Sequence, residues 1–259
     1  MEKKYPISEI FVSPQGEGCY AGQMQYFIRL AGCSVGKLYP KNRYELFPLN
    51  DNQKMIENKL NMMPLLPVYT HKCTSAHELE FPCDTDYRVK ERLNIEQLMN
   101  RIPVDVEHVC ITGGEPLDHD LTTLITYLWH KDKKIHIETS GTVNKHLDQG
   151  IWVTLSPKLN CYSSMINRAD ELKVLIDDNF TTDDLFKMQV MFDDKSFWDI
   201  DLVELSKRKP VFIQPINFEN SVNNDNLQRC LEWQKQYPSL RISVQLHKVF
   251  SACTGELVR

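Results

Sequence analysis

The chain has 259 residues, 42% hydrophobic and 25% charged, which suits one globular domain with an insertion or two small ones. A formal net charge of -5 without a long basic run speaks against nucleic acid as a partner, and nowhere do about 18 apolar residues run together to span a membrane. Met1-Glu2-Lys3-Lys4-Tyr5-Pro6 leads into no apolar run, so no signal peptide is expected and the protein is read as cytoplasmic.

Met24-Gln25-Tyr26-Phe27-Ile28-Arg29-Leu30 reads as a strand ending at Ala31-Gly32-Cys33. Over residues 37–82 the pattern breaks, with Pro40, Pro48, Pro64 and Pro67 among polar runs. This stretch is read as an insertion with one short helix near residues 51–60. Asn94 is expected to cap a helix from Ile95. Val109–Thr112 is a short buried strand running into Gly113-Gly114-Glu115-Pro116, and a helix follows from Leu121 to His130 with Leu121, Leu124, Ile125 and Leu128 at helical spacing. Strands are expected at Lys134–Glu138, Ile151–Leu155, Glu171–Ile176, Val211–Ile216 and Arg241–Leu246, and helices at Asp183–Met191, capped by Thr182, and Asp225–Gln236. The alternation predicts an α/β fold with a mostly parallel sheet. Too few residues separate Glu138 from Ile151 for a crossover helix, so the fold should be short of helices.

Cys33 sits in a Gly-Cys-Ser-Val-Gly loop after a strand, and Cys83 in Pro82-Cys83-Asp84-Thr85. Thiolates on flexible loops are what an iron–sulfur cluster needs, although a lone cysteine is more often a small buried hydrophobe. Arg29 stands out on an otherwise apolar strand. A buried guanidinium wants an anion, and its planar fork suits a carboxylate, either a ligand's or an internal partner's. Gly113-Gly114 ahead of Glu115-Pro116 is a turn or a place where backbone approaches a ligand. Thr85 reads alone as a turn residue.

Six blocks then occur in one order. They are Glu9-Ile10-Phe11-Val12-Ser13-Pro14-Gln15-Gly16-Glu17-Gly18, Phe27-Ile28-Arg29-Leu30-Ala31-Gly32-Cys33, Cys83-Asp84-Thr85, Thr112-Gly113-Gly114-Glu115-Pro116, Glu138-Thr139-Ser140-Gly141 and Ser156-Pro157-Lys158. Together they resemble the signature of the 7-carboxy-7-deazaguanine synthases, a family of the radical S-adenosylmethionine (SAM) superfamily. The match is thinner beyond Lys158, at Glu171-Leu172-Lys173, Gln214-Pro215-Ile216 and Gln245-Leu246-His247-Lys248.

The resemblance implies a radical SAM partial (β/α) barrel, reduced in helices, as one domain over residues 1–259 with its cluster loop enlarged by the 37–82 insertion. It implies a lyase of queuosine-type 7-deazapurine biosynthesis that turns 6-carboxy-5,6,7,8-tetrahydropterin into 7-carboxy-7-deazaguanine with loss of ammonia. The cofactors would be a [4Fe-4S] cluster, S-adenosylmethionine and magnesium. A flavodoxin- or ferredoxin-type reductant and a homodimer would go with them. By resemblance Cys33, Cys73 and Cys83 hold the cluster and Thr85 the magnesium. Gly114, Glu115, Ser156, Pro157, Lys158 and Gln214 meet the cofactor. Pro14, Gln15, Gly16, Glu17, Arg29, Thr112 and His247 meet the substrate. When substrate is absent, the buried Arg29 still needs an anion, which could be Glu17, water or a buffer ion. No side chain is assigned the bond-breaking chemistry, which belongs to the cluster and its cofactor.

The departure is the cluster loop. The usual position of the second cysteine, three before Cys83, is Glu80, and Cys73 is the only cysteine within the loop, giving C-x39-C-x9-C. His71 and His77 are the alternative third ligands. Cys19, Cys110, Cys161, Cys230 and Cys253 match no ligand position, and Cys110 is read as core. Two other readings stay open. One is a different small radical SAM enzyme such as a glycyl-radical activase, against which Gln15-Gly16-Glu17-Gly18 and Arg29 speak. The other is a non-enzymatic metal-binding relative.

Overall fold

The computed structural model describes residues 3–38, 71–76, 80–83, 85–217 and 223–254. In chain order the strands and helices begin with β1 (Tyr5–Pro14), β2 (Met24–Leu30), β3 (Lys37–Leu38), β4 (His71–Thr74), β5 (Glu80–Cys83), β6 (Glu91–Leu93) and α1 (Ile95–Met99). The centre follows with β7 (His108–Gly113), α2 (Thr122–His130), β8 (Lys134–Thr139), β9 (Ile151–Leu155), α3 (Ser163–Arg168) and β10 (Glu171–Ile176). The chain closes with β11 (Met188–Met191), β12 (Phe197–Ile200), α4 (Leu202–Ser206), β13 (Val211–Pro215), α5 (Asn224–Gln236), β14 (Arg241–Ile242) and α6 (Leu246–Thr254).

One nine-stranded sheet carries the fold, in the order β14-β13-β10-β9-β8-β7-β2-β1-β6. From β2 through β14 neighbouring strands run parallel, and β1 and β6 add an antiparallel edge. This is the expected α/β architecture with a mostly parallel sheet and few helices, and no helix joins β8 to β9.

Alternation along the strands gives the sheet two unlike faces. Ile28, Leu30, Val109, Ile111, Ile135, Ile137, Val153, Leu155, Leu172, Val174, Val211 and Ile213 are buried in one apolar cluster. Leu98 of α1, Leu124 and Leu128 of α2, Met165 of α3 and Trp233 of α5 join the same cluster. The other face carries polar side chains in register, with Arg29 beside Thr112, Glu138 beside Thr154, and Thr154 beside Glu171. A parallel sheet covered by helices on both faces reads as near-continuous apolar runs. Here polar residues recur along the strands among a few apolar ones such as Phe27 and Phe212, so that face is reserved for something other than helix packing.

The sheet must also curl around that face. β1 and β13 are six strands apart, about 29 Å if flat at ~4.8 Å per strand. Yet Glu17, three residues past β1, accepts a hydrogen bond from Gln214 of β13 at 3.1 Å.

The Asn94 cap forms in both directions, with Gln97 N donating to Asn94 Oδ1 at 2.9 Å and Asn94 N to Gln97 Oε1 at 3.0 Å. Two expected elements differ. Instead of a helix over Asp183–Met191 there is a short 3-10 turn, Asp183–Leu185, and then β11, hairpin partner of β12. Met188 and Val190 are buried while Gln189 is exposed, a period of two that favours a strand. Thr182 makes no capping hydrogen bond. The strand expected over Arg241–Leu246 stops at Ile242, because β14 lies at the sheet edge with β13 as its one neighbour, and α6 begins at Leu246. In the insertion, β3, β4 and β5 form a small antiparallel sheet, while the helix expected near residues 51–60 lies outside the described residues.

Candidate active site

Three groups of side chains meet at the carboxyl ends of the parallel strands, where ligands bind in such sheets.

The first is the cysteine group. Cys33 follows β2, and its thiol, pushed up by burial, accepts a hydrogen bond from Gly36 N at 3.1 Å. Cys73 is buried on β4 and Cys83 ends β5. Tyr87 ties them together. Its phenol lies 2.5 Å from Cys83 Sγ, and its titration is pushed well up by burial and then by Cys83, Cys33 and Cys73. Cys83 therefore touches the phenol, and Cys33 and Cys73 lie within electrostatic reach of it. Among the described residues no group of three or more His, Cys, Asp or Glu is arranged around a single metal ion. A multi-iron cluster, with each iron taking one thiolate, does not require that arrangement. His77 and the His71 side chain lie outside the described residues, and so does Asp84.

The second group is the glycine segment after β7. A Cβ built on Gly113, whose φ is +151°, would overlap the Leu30 carbonyl oxygen, and one on Gly114 would overlap the Gly32 carbonyl and Cys33 Cβ. The segment therefore lies directly against the loop that bears Cys33. Glu115 is fully buried, and its carboxylate accepts hydrogen bonds from Leu117 N at 3.0 Å, Thr139 Oγ1 at 2.7 Å, Ser140 N at 2.8 Å and Ser140 Oγ. It faces protein donors, where contact with the cofactor was expected. Ser156 N donates to Thr139 O at 2.8 Å, and Lys158 Nζ donates to Ser156 Oγ at 2.7 Å. Pro157 lies between them. Ser75, two residues past Cys73, makes a β-bridge with Lys158, so the cysteine loop and the Ser156–Lys158 turn are in contact.

The third group lies on the polar face itself. Pro14 ends β1, and the loop after it reaches across the sheet. Gln15 Nε2 donates to Glu138 Oε1 at 3.0 Å, and Thr112 Oγ1 to Glu138 Oε2 at 3.0 Å. Glu17 pairs with Lys173 and accepts from Gln214 Nε2. Burial would raise the Glu17 carboxyl, but Lys173 and His247, with hydrogen bonds from Lys173 and Gln245, bring it down to about 2. His247 lies in the first turn of α6, not at a strand end, and its Nδ1 faces Gly16 closely enough that a Cβ there would come within 2.7 Å. Gln214, expected with the cofactor, shares Glu17 with Lys173.

Arg29 has a different counter-ion from the one expected. Its Nε lies 3.4 Å from Glu9 Oε2, and its Nη1 donates to Thr85 Oγ1 at 2.8 Å. Glu17 is occupied by Lys173. Glu138, Lys173, Glu9 and Tyr87 are the site residues that motif reading left without a role. Glu9, Glu138 and Lys173 were signalled by their places in the quoted blocks and on strands, whereas Tyr87, in the loop between β5 and β6, carried no such signal. Cys110 is buried, but on the polar face, while Cys161 and Cys230 are buried in the apolar core. A separate cavity of about 230 Å³ lies at the opposite, amino ends of β8 and β9, against Tyr20, Lys134, His136 and Trp152.

The fold and this site define a helix-poor α/β enzyme, and the chain is similar to the crystal structure of QueE from Escherichia coli, with a TM-score of 0.58 and 25% identity over 93% of this chain and 94% of that one. In sequence, the chain is a homologue of proteins named 7-carboxy-7-deazaguanine synthase. That of Buchnera aphidicola subsp. Schizaphis graminum is 28% identical over 253 residues, covering 94% of this chain and 97% of the relative. That of Escherichia coli is 28% identical over 256 residues, covering 95% and 97%. That of Bacteroides thetaiotaomicron is 28% identical over 244 residues, covering 94% and 96%. No protein-family profile matches the chain. No helix among the described residues is long and apolar enough to cross a membrane.

Proposed function

We propose that this protein is a 7-carboxy-7-deazaguanine synthase, a radical SAM lyase that contracts 6-carboxy-5,6,7,8-tetrahydropterin to 7-carboxy-7-deazaguanine with loss of ammonia, in the cytoplasm and on the route to queuosine-type bases. The observation that carries it is the meeting of Arg29 with Thr85, two residues after Cys83, on a polar face that also holds Gln15, Glu17 and Thr112. A guanidinium fork for a carboxylate thus lies beside a thiol group and opposite amide and carboxylate groups suited to a pterin.

The donor set fits the cofactors. Cys33, Cys73 and Cys83 are three thiols that all act electrostatically on the Tyr87 phenol, and they would hold a [4Fe-4S] cluster. The tight approach of Gly114 to Gly32 leaves backbone in place of a side chain beside that cluster, as close binding of S-adenosylmethionine needs. When bound, cluster and S-adenosylmethionine supply the one-electron cleavage that starts the reaction. Gly114, with Ser156, Pro157 and Lys158, would hold that cofactor. Glu115 serves by locking Ser140 and the end of β8, and Gln214 by holding Glu17 at the boundary with the substrate. Magnesium, a hard cation, would use the Thr85 hydroxyl and the substrate carboxylate that Arg29 brings to the same point.

The rest is orientation by this chain. Arg29 binds the substrate carboxylate. Pro14, Gln15 and Gly16 border the pterin, Glu17 accepts its N–H donors, and Thr112 and His247 flank it. We read residues 1–259 as one partial (β/α) barrel, with 37–82 an insertion in the cluster loop, working as a homodimer with a flavodoxin- or ferredoxin-type reductant. Anaerobic turnover of the carboxy-tetrahydropterin by reconstituted enzyme, with and without magnesium, tests the proposal. Formation of 7-carboxy-7-deazaguanine is expected. A colourless preparation that binds no iron or sulfide would instead favour a non-enzymatic relative.

A further inference from the structure

On the polar face one ammonium, that of Lys173, pairs with one carboxylate and feels the charge of two more. Lys173 of β10 pairs with Glu17, which lies on the loop after β1. Burial would lower its pKa, but Glu17, then Glu138 of β8 and Glu171 of its own strand, raise it. His247 and Gln245 reach the same Glu17 from the carboxyl-terminal segment. Gln214 Nε2 donates to Glu17 Oε1 at 3.1 Å, which fixes the amide, since the reverse orientation would set two acceptors together. Gln214 is 2% exposed, and its Oε1 is buried without a hydrogen-bond partner among the described residues.

A buried ion pair is by itself weak evidence of a stabilising role, because an apolar pair of similar volume often packs as well. This pair stands beside a buried acceptor that has no donor. A carboxylate and an amide oxygen side by side complement a ligand with several N–H donors along one edge. We propose that Lys173 is a positioning residue that keeps Glu17 ionised and fixed, so that Glu17 and Gln214 Oε1 accept the N–H donors of the substrate's 2-amino-4-oxopyrimidine edge. Lys173 would thereby set the specificity for that edge without touching it. The inference rests on the substrate reading above.

The test uses anaerobically reconstituted holoenzyme. A wild type that cleaves S-adenosylmethionine but neither binds nor converts the pterin removes the substrate reading itself, before any variant is compared. Where the wild type converts it, calorimetry across roughly pH 5–8 compares wild type, Lys173→Met, Lys173→Arg and Lys173→Gln. Ligands are the carboxy-tetrahydropterin and its 2-deamino analogue. Lys173→Met should weaken the substrate by about 30-fold or more, the range for breaking a buried charged contact, and leave the analogue little changed. Its acid loss of binding should begin at a higher pH than in wild type, because burial then raises Glu17 without an opposing ammonium. His247, Glu138 and Glu171 titrate in both proteins and form a shared background. Lys173→Arg should restore most of the affinity, and cleavage of S-adenosylmethionine without pterin should survive in Lys173→Met and Lys173→Arg. If Lys173→Met keeps the wild-type pH profile and the wild-type preference for substrate over analogue, Lys173 is a structural partner and the proposal is overturned. Should Lys173→Met fail to fold, Lys173→Gln, which keeps a hydrogen-bond donor toward Glu17 but no charge, decides. Lost preference supports the proposal and retained preference overturns it.

Discussion

Arg29 and Glu9 face each other across the antiparallel β1–β2 pair, with Arg29 Nε 3.4 Å from Glu9 Oε2 while Arg29 Nη1 donates to Thr85. The guanidinium is thus held in place before any substrate carboxylate arrives. Arg29→Lys keeps the charge but cannot reach both partners as a planar fork. Loss of a buried charged hydrogen bond costs about 2–5 kcal/mol, so Arg29→Lys should weaken pterin binding near the lower end and Arg29→Met near the upper. Both should still cleave S-adenosylmethionine without pterin. Normal pterin affinity in Arg29→Met would reduce the arginine to the partner of Glu9.

Replacing Cys33, Cys73 or Cys83 by Ala one at a time should lower the iron and sulfide retained after reconstitution and abolish turnover. Cys73 decides most, since its register position opposite Phe81 on β5 depends on the inserted sheet. Full iron content in Cys73→Ala would transfer that ligand role to His71, His77 or another group.

Gly114→Ala is expected to be worse than an exposed Gly→Ala change. The added methyl would overlap backbone at Gly32 and the Cβ of Cys33, neither of which can rotate away. The thiol loop should shift, and cleavage of S-adenosylmethionine should fall by at least ~10-fold, about 1.4 kcal/mol in the barrier. Wild-type rates of cleavage would show that the glycine is needed only for the turn.

Glu115→Ala removes the acceptor for Thr139 Oγ1, Ser140 N, Ser140 Oγ and Leu117 N in a fully buried position. Unsatisfied buried donors cost ~1–3 kcal/mol each, so loss of the acceptor for four of them should cost at least about 4 kcal/mol. In a chain of this size that lowers the melting temperature by roughly 8–16 °C or more. A melting curve like that of wild type would mean that the donors find other partners.

Acid should unfold the protein partly through Glu17. Its folded carboxyl sits at about 2, below its unfolded value, so its pairing stabilises the fold above the unfolded pKa and is lost as pH falls toward 2. The double variant Glu17→Gln with Lys173→Met lacks this group. Its melting temperature should therefore fall less than that of wild type between about pH 5 and pH 3. Parallel curves would assign the acid sensitivity to other carboxylates.

Much of the framework could be read from residues in a row. The strand at Met24–Leu30, the Asn94 cap and the helix ending at His130 depend on periodicity and on neighbours within one turn. The Gly113-Gly114 step stood out because only glycine tolerates that backbone so near another chain segment. Those signals are local, and the sequence by itself determined them. It did not determine which charges pair. Lys173 and Glu17 are 156 residues apart, and Arg29 and Thr85 are 56 apart. The curl of the sheet joins the first pair, and the return of the chain from the inserted sheet brings Thr85 to Arg29. The same holds for Tyr87 among the three thiols and for Ser75 against Lys158, which depend on how the inserted sheet folds back. Asp183–Met191 carried a helical pattern, and the chance to pair with Phe197–Ile200 turned its second half into a strand. Hydrogen bonds and charges act across a few ångströms whatever the distance along the chain, so the partners were decided by the tertiary structure alone.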